Sequence, residues 1–128
     1  MKKYILTLAA LLPIAISCCR TPEYTVPAPK DVMMYQVNPR VFAESSSFNA
    51  VALQLDSIRQ IGANVVWFMP IYEVGKVNSV NSPYCIKDYK ALNPEFGTMQ
   101  EFANVVDECH KRGMAVTVSY THLTLPTT

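Results

Sequence analysis

The stretch Asn64-Val65-Val66-Trp67-Phe68-Met69, stopped by Pro70, is a near-continuous run of β-branched and aromatic residues. A run without polar alternation suits a strand buried on both faces, as in a parallel sheet covered by helices. Pro70 brings no backbone donor and ends the strand. Further on, Thr98 with Glu101 three places later forms a capping box that opens a helix. Loops between a strand and the next helix usually take about 2–6 residues, and this one takes roughly 27. It carries Tyr72, Tyr84, Asp88 and Tyr89 with Pro and Asn punctuation and no low-complexity run. That content favours a functional loop over a plain surface excursion.

The flanking segments repeat the same alternation. Val32 to Val37 is a short apolar run read as a first strand, closed by Asn38-Pro39-Arg40, and Ser45-Ser46-Ser47 marks a loop and a cap zone. From Phe48 the period becomes helical: Val51, Leu55 and Ile58 fall on one face, with Ala52 and Ile61 beside them, and Gly62 sits where a helix-ending glycine belongs. The second helix starts at Met99 and is expected to bury Phe102, Val105, Val106 and Cys109. Lys111 and Arg112 lie in its last turn, and Gly113 ends it. Met114 to Val118 begins a third strand. Strand–helix–strand–helix–strand implies a parallel sheet with right-handed crossovers, in either a doubly wound sheet or a β/α barrel. In both, ligands bind where the strands end, and the long loop leaves the second strand from that end.

The amino terminus reads as a targeting segment. Lys2 and Lys3 precede an apolar core, Tyr4 to Ile16, of about 13 residues, too short for a membrane-spanning helix. It runs into Ser17-Cys18-Cys19, which resembles a bacterial lipoprotein signal, with Cys18 as the lipidated residue and Cys19 as the alternative. Residues 1–19 are then a signal peptide. Residues 20–30, with three prolines, form a tether that holds the domain off the membrane. Cys85 and Cys109 remain, one in the long loop and one on a buried helix face, so no disulfide is expected. The 128 residues carry a net charge of +1, which gives no basic field for nucleic acid. No Walker sequence, Gly-rich phosphate loop or CxxC pair is present.

Several motifs in order resemble the α-amylase family, glycoside hydrolase family 13. Gly62 to Ile71 is similar to its second barrel strand. Ser82-Pro83-Tyr84 with Asp88-Tyr89, Leu92 to Thr98, and His110 to Met114 follow at matching separations. Met34 to Val37 with Arg40-Val41-Phe42 resembles the first strand. The resemblance implies the N-terminal portion, about three β/α units, of a (β/α)8 TIM barrel. It also implies action on α-linked glucans or maltooligosaccharides by a retaining, two-carboxylate mechanism.

The resemblance places Tyr84 where a ring stacks on the sugar being cleaved, and Asp88 near the same subsite, organising the loop by hydrogen bonds. Trp67, Tyr35 and Arg40 read as barrel packing and loop anchoring, and His110 as lying on a solvated helix face. Glu44, Glu73 and Glu95 read as isolated loop acids. The family's nucleophile, acid/base and third carboxylate come from later strands, so no catalytic residue and no metal ligand is assigned in this chain. Calcium is left open for the full-length protein. At the third strand the family has an aspartate where this chain has Ser119. Residues 119–128, rich in Thr and Leu, resemble no part of the family and read as foreign or out-of-frame sequence. Residues 31–118 are thus read as a partial catalytic barrel and the chain as an inactive fragment of a lipid-anchored enzyme, with a non-catalytic glycan-binding lipoprotein as the alternative.

Overall fold

The computed structural model describes residues 24–120. Cys18 and Cys19, with the signal-type segment around them, and tail residues 121–128 fall outside the described residues. The observed order is β1 (Met34–Val37), α1 (Pro39–Phe42), α2 (Ser47–Gln60), β2 (Val65–Phe68), β3 (Tyr72–Val74), β4 (Ile86–Leu92), α3 (Met99–Lys111) and β5 (Ala115–Val118).

Strands β1, β2 and β5 form one parallel sheet in that order, with Met34, Val65 and Ala115 in one row and Gln36, Trp67 and Thr117 in another. Successive side chains alternate between faces. Tyr35, Val37, Val66, Phe68, Val116 and Val118 join the core with α2 and α3. Val51, Leu55 and Ile58 of α2 and Val105 and Cys109 of α3 are buried there. Phe48 is the hub, in edge or tilted ring contact with Phe68, Phe96 and Phe102 at centroid distances of 5.1–6.4 Å. Such pairs add about 0.5–1.5 kcal/mol each beyond their burial. The opposite sheet face carries Met34, Gln36, Trp67 and Thr117, and corresponds to the inside of a barrel.

Both long helices end as their sequences predict, with one difference at a start. Thr98 Oγ1 accepts from the Glu101 amide at 3.2 Å while Glu101 Oε2 accepts from the Thr98 amide at 2.6 Å, completing the box. Gly62 and Gly113 follow α2 and α3 at φ +95° and +69°, the left-handed region where a side chain is strained. Ser46 precedes α2 in a left-handed conformation with no side-chain cap. Its neighbour Ser47 instead donates its hydroxyl to the Pro39 carbonyl at 2.6 Å, tying α2 to α1. Ile61, expected beside the buried stripe, is 64 % exposed. Val106 is only half-buried.

Two surfaces are left uncovered among the described residues. The outer edge of β1 and helix α2 border a groove of about 550 Å³ lined by Tyr35, Phe42, Leu53, Ile58 and Ile61. The outer edge of β5 has no strand partner. Helices α2 and α3 are bridged by Arg112, whose guanidinium contacts Asp56 Oδ1 at 2.7 Å and Glu108 Oε2 at 2.6 Å.

Candidate functional site at the strand ends

The long segment after β2 is not irregular. Strands β3 and β4 pair antiparallel as a hairpin, with register shifts between Tyr72 and Val74. Its base is closed by the Asn93 amide donating to the Ile71 carbonyl at 2.9 Å, and its far end by Gly75 to Cys85 at 2.8 Å. Tyr72 and Tyr89 hold their rings 5.9 Å apart across it. Since β2 runs into it through Pro70 and Ile71, the hairpin stands on the carboxyl-terminal rim of the parallel sheet.

A second tether fixes it there. Arg40, three residues past the end of β1, donates from Nη1 to the Asn81 carbonyl at 2.7 Å. The loop it grips holds Asn78, Val80 and Asn81 at φ +53°, +45° and +59°. A β-branched residue in that region is strained, and such strain persists only where the surroundings over-determine the backbone. The Ser79 hydroxyl supplies part of that, accepting from the Asn81 amide at 3.3 Å, with the Ser79 carbonyl accepting from Ser82 at 2.9 Å. Arg40 and this loop border a polar cleft of about 540 Å³ together with Glu73, Lys76, Asn93 and Glu95.

Tyr84 lies three residues beyond Asn81 on the same loop, 39 % exposed, with its amide donating to Ser82 Oγ at 3.3 Å. Asp88 lies on β4, opposite Glu73 in register. Its Oδ1 accepts from the Lys90 amide at 2.8 Å, so the carboxylate is engaged with the hairpin's own backbone. Neither residue lines the polar cleft. Two of the acids read as isolated, Glu73 and Glu95, have neighbours. Glu73 sits on β3 rather than in a loop and takes Lys87 Nζ at 2.6 Å. Glu95 Oε2 is 3.5 Å from Asn93 Nδ2. Sequence reasoning missed the hairpin pairing and the Arg40–Asn81 partner, although it had assigned Arg40 to loop anchoring.

The third rim position is Ser119, next after β5. Its amide donates to the Phe68 carbonyl at 2.9 Å, and its Oγ accepts from Trp67 Nε1 at 2.5 Å. Ser119 therefore lies on the same sheet face as Trp67 and Thr117, the inner face, at the strand ends. Among the described residues no three His, Cys, Asp or Glu side chains come together in a way that could hold a metal ion. Cys85 is exposed, Cys109 is buried, and neither is bridged. Burial pushes the Cys109 thiol up to about 12.

Comparison with known proteins places these features. The α-amylase catalytic-domain family matches residues 36–121. A probable oligo-1,6-glucosidase 2 of Bacillus subtilis (strain 168) is 31 % identical over 96 residues, covering 71 % of this chain and 17 % of the relative. The trehalose-6-phosphate hydrolase of the same strain is 32 % identical over 92 residues, covering 68 % and 16 %. Among solved structures, a maltogenic α-amylase AmyB from Thermotoga neapolitana aligns with a TM-score of 0.65 at 28 % identity, covering 70 % of this chain and 23 % of that one. The isomaltulose synthase SmuA from Protaminobacter rubrum aligns with a TM-score of 0.63 at 29 % identity, covering 73 % and 17 %. The chain thus spans under a quarter of the proteins it matches. Of the two architectures open to the sequence, these neighbours select the barrel: the sheet and helices are the N-terminal part of a (β/α)8 TIM barrel, and the chain belongs to the α-amylase catalytic-domain family.

Proposed function

We propose that this chain is the amino-terminal part of an exported, lipid-anchored glycosidase that hydrolyses or transfers α-glucosidic bonds of starch-like glucans or maltooligosaccharides. The observation that carries the reading is the β3–β4 hairpin on the strand-end rim, gripped by Arg40 three residues from Tyr84. An aromatic ring at the mouth of a barrel can cover the apolar side of a pyranose and keep water from it. Asp88, engaged by the Lys90 amide, shapes the hairpin strand that follows Tyr84. The reaction class needs two carboxyl groups about 5–5.5 Å apart across the glycosidic bond. On this reading later strands supply them, and the 128 residues alone are inert. Cys18, or Cys19 in its place, carries the lipid.

The test uses the full-length protein with maltooligosaccharide and isomaltooligosaccharide substrates. Tyr84→Ala should lower kcat/KM about tenfold, roughly 1.4 kcal/mol of lost stacking, with Tyr84→Phe within about twofold of the parent. An unchanged Ala variant would remove Tyr84 from the subsite, and absence of turnover on every α-glucoside would remove the hydrolase. A second reading rests on Ser119, a hydroxyl hydrogen-bonded to Trp67 where the family resemblance expects an acid. It is a glycan-binding lipoprotein on a degenerate barrel, which would bind maltooligosaccharide without cleaving it.

A further inference from the structure

The end of the barrel opposite the hairpin gathers a separate set of features. Tyr24 stacks on His110 in the last turn of α3, with ring centroids 4.0 Å apart and planes at 17°. The Asp31 carbonyl accepts from Asn64 Nδ2 at 2.7 Å, and Asn64 Oδ1 accepts from the Met33 amide at 2.8 Å. These contacts pin the segment entering the domain against the starts of β1 and β2 and the end of α3. Helix α2 ends on this face as well. Around the contacts lie exposed apolar side chains, Val26 at 74 %, Met33 at 54 % and Ile61 at 64 %. The exposed cations Lys30 and Arg59 belong to the same entering segment and helix end, with the exposed acid Asp31, while Lys111 is held by Glu108 at 2.6 Å. Arg112 there is already engaged by Asp56 and Glu108.

We infer that this strand-start face is the surface the protein lays against an anionic lipid bilayer, with the Tyr24–His110 stack holding the hairpin mouth turned away from it. The inference rests on the lipid-anchor reading. Tyr24 lies six positions after Cys18, and a fully extended chain spans at most about 3.3–3.6 Å per residue, so a lipidated Cys18 keeps Tyr24 within roughly 20 Å of the bilayer. A tether that ended in free linker would let the domain tumble. One that ends in a ring stack on α3 fixes which face is near. The composition of that face suits the occupant: apolar side chains meet the interfacial region while lysine and arginine meet anionic headgroups. A mouth facing outward can receive a long glucan that a mouth facing the bilayer would exclude.

The experiment places single spin-labelled cysteines in the full-length lipoprotein, with other accessible thiols changed to serine. One sits at Gln60, exposed at the end of α2, and one at Val77, 87 % exposed on the hairpin loop. Cys109 is sealed in the core and does not compete for label. Vesicles contain phosphatidylglycerol and a nickel-chelating headgroup lipid as relaxant. Collisional relaxation at Gln60→Cys should exceed that at Val77→Cys at least threefold. Tyr24→Ala and His110→Ala should each bring the two sites toward equality while the protein still floats with the vesicles. Equal or reversed relaxation in the vesicle-bound parent overturns the orientation but leaves the anchor standing. A protein absent from the floated fraction overturns the anchor, and the orientation with it.

Discussion

Trp67 in the central strand donates its indole N–H to Ser119 Oγ, 2.5 Å away at the end of the neighbouring strand. This bond joins the inner face of the sheet to its strand-end rim. Ser119→Ala removes the acceptor from a half-buried donor and should cost about 1 kcal/mol. Ser119→Asp keeps an acceptor there and should unfold close to the parent. Thermal unfolding of the two variants in the full-length protein decides it, and a more stable alanine variant would refute the bond's contribution.

The hairpin loop should respond to its two supports. Losing the hydrogen bond to Asn81 in Arg40→Ala should raise KM for maltooligosaccharide about fivefold, corresponding to roughly 1 kcal/mol. Amide exchange across residues 78–84 should speed up. Faster exchange with unaltered KM would separate the loop from the substrate.

Val80 holds a left-handed backbone with its side chain 94 % exposed, so little packing compensates the strain. Val80→Asn should raise stability by about 1 kcal/mol, because asparagine tolerates this region. Calorimetry showing a lower melting temperature would argue that Val80 packs against something in the intact barrel.

Gly97 is required twice. Its φ is +128°, and a Cβ there would lie 2.6 Å from Glu101 Oε2 and 3.0 Å from Phe48 Cδ2. Gly97→Ala should therefore break the capping box and disturb the ring hub. It should destabilise by more than Thr98→Ala, whose lost cap costs about 1 kcal/mol. Equal losses in chemical denaturation would count against the steric argument.

Acid should loosen the helix layer in a defined window. The Thr98 amide and hydroxyl hold the Glu101 carboxyl below its ordinary value of 4.5, and Asn49 adds to this. Hydrogen bonds from Lys111 and Arg112 do the same for Glu108, and Arg112 lowers Asp56 from 3.8. A folded-state value below the unfolded one gives stability that is complete above the unfolded value and lost as pH falls through the folded one. Stability should thus hold near neutrality and decline below about pH 4.5. Arg112→Met should flatten that decline, which a denaturation series across pH would detect.

The parallel units were legible because each rests on local chemistry: the apolar run at Asn64–Met69, the Thr98–Glu101 box, and glycines 62 and 113 after the helices. The hairpin was not. Tyr72–Val74 is three residues long and bulged, and Ile86–Leu92 mixes charged and apolar residues without clean alternation, so neither announces a strand. Helix α1 spans four residues behind Asn38, which accepts from the Arg40 amide at 3.2 Å, too short to show a period. His110 was read as solvated because the ring that covers it, Tyr24, is 86 positions away in sequence. Tyr84 and Asp88 were singled out by motif alone. The loop that carries Tyr84 is held by Arg40 reaching Asn81, a contact no local pattern encodes.

Among the described residues, the uncovered groove between β1 and α2 and the unpaired edge of β5 on the other side give this segment two unfinished seams. Alone, residues 20–128 should melt without cooperativity. Mixed with a polypeptide bearing the remaining barrel units, the same seams become addresses for reassembly. On the glycosidase reading proposed above, the segment is one piece of a split enzyme, whose recovered activity would report the two pieces finding each other.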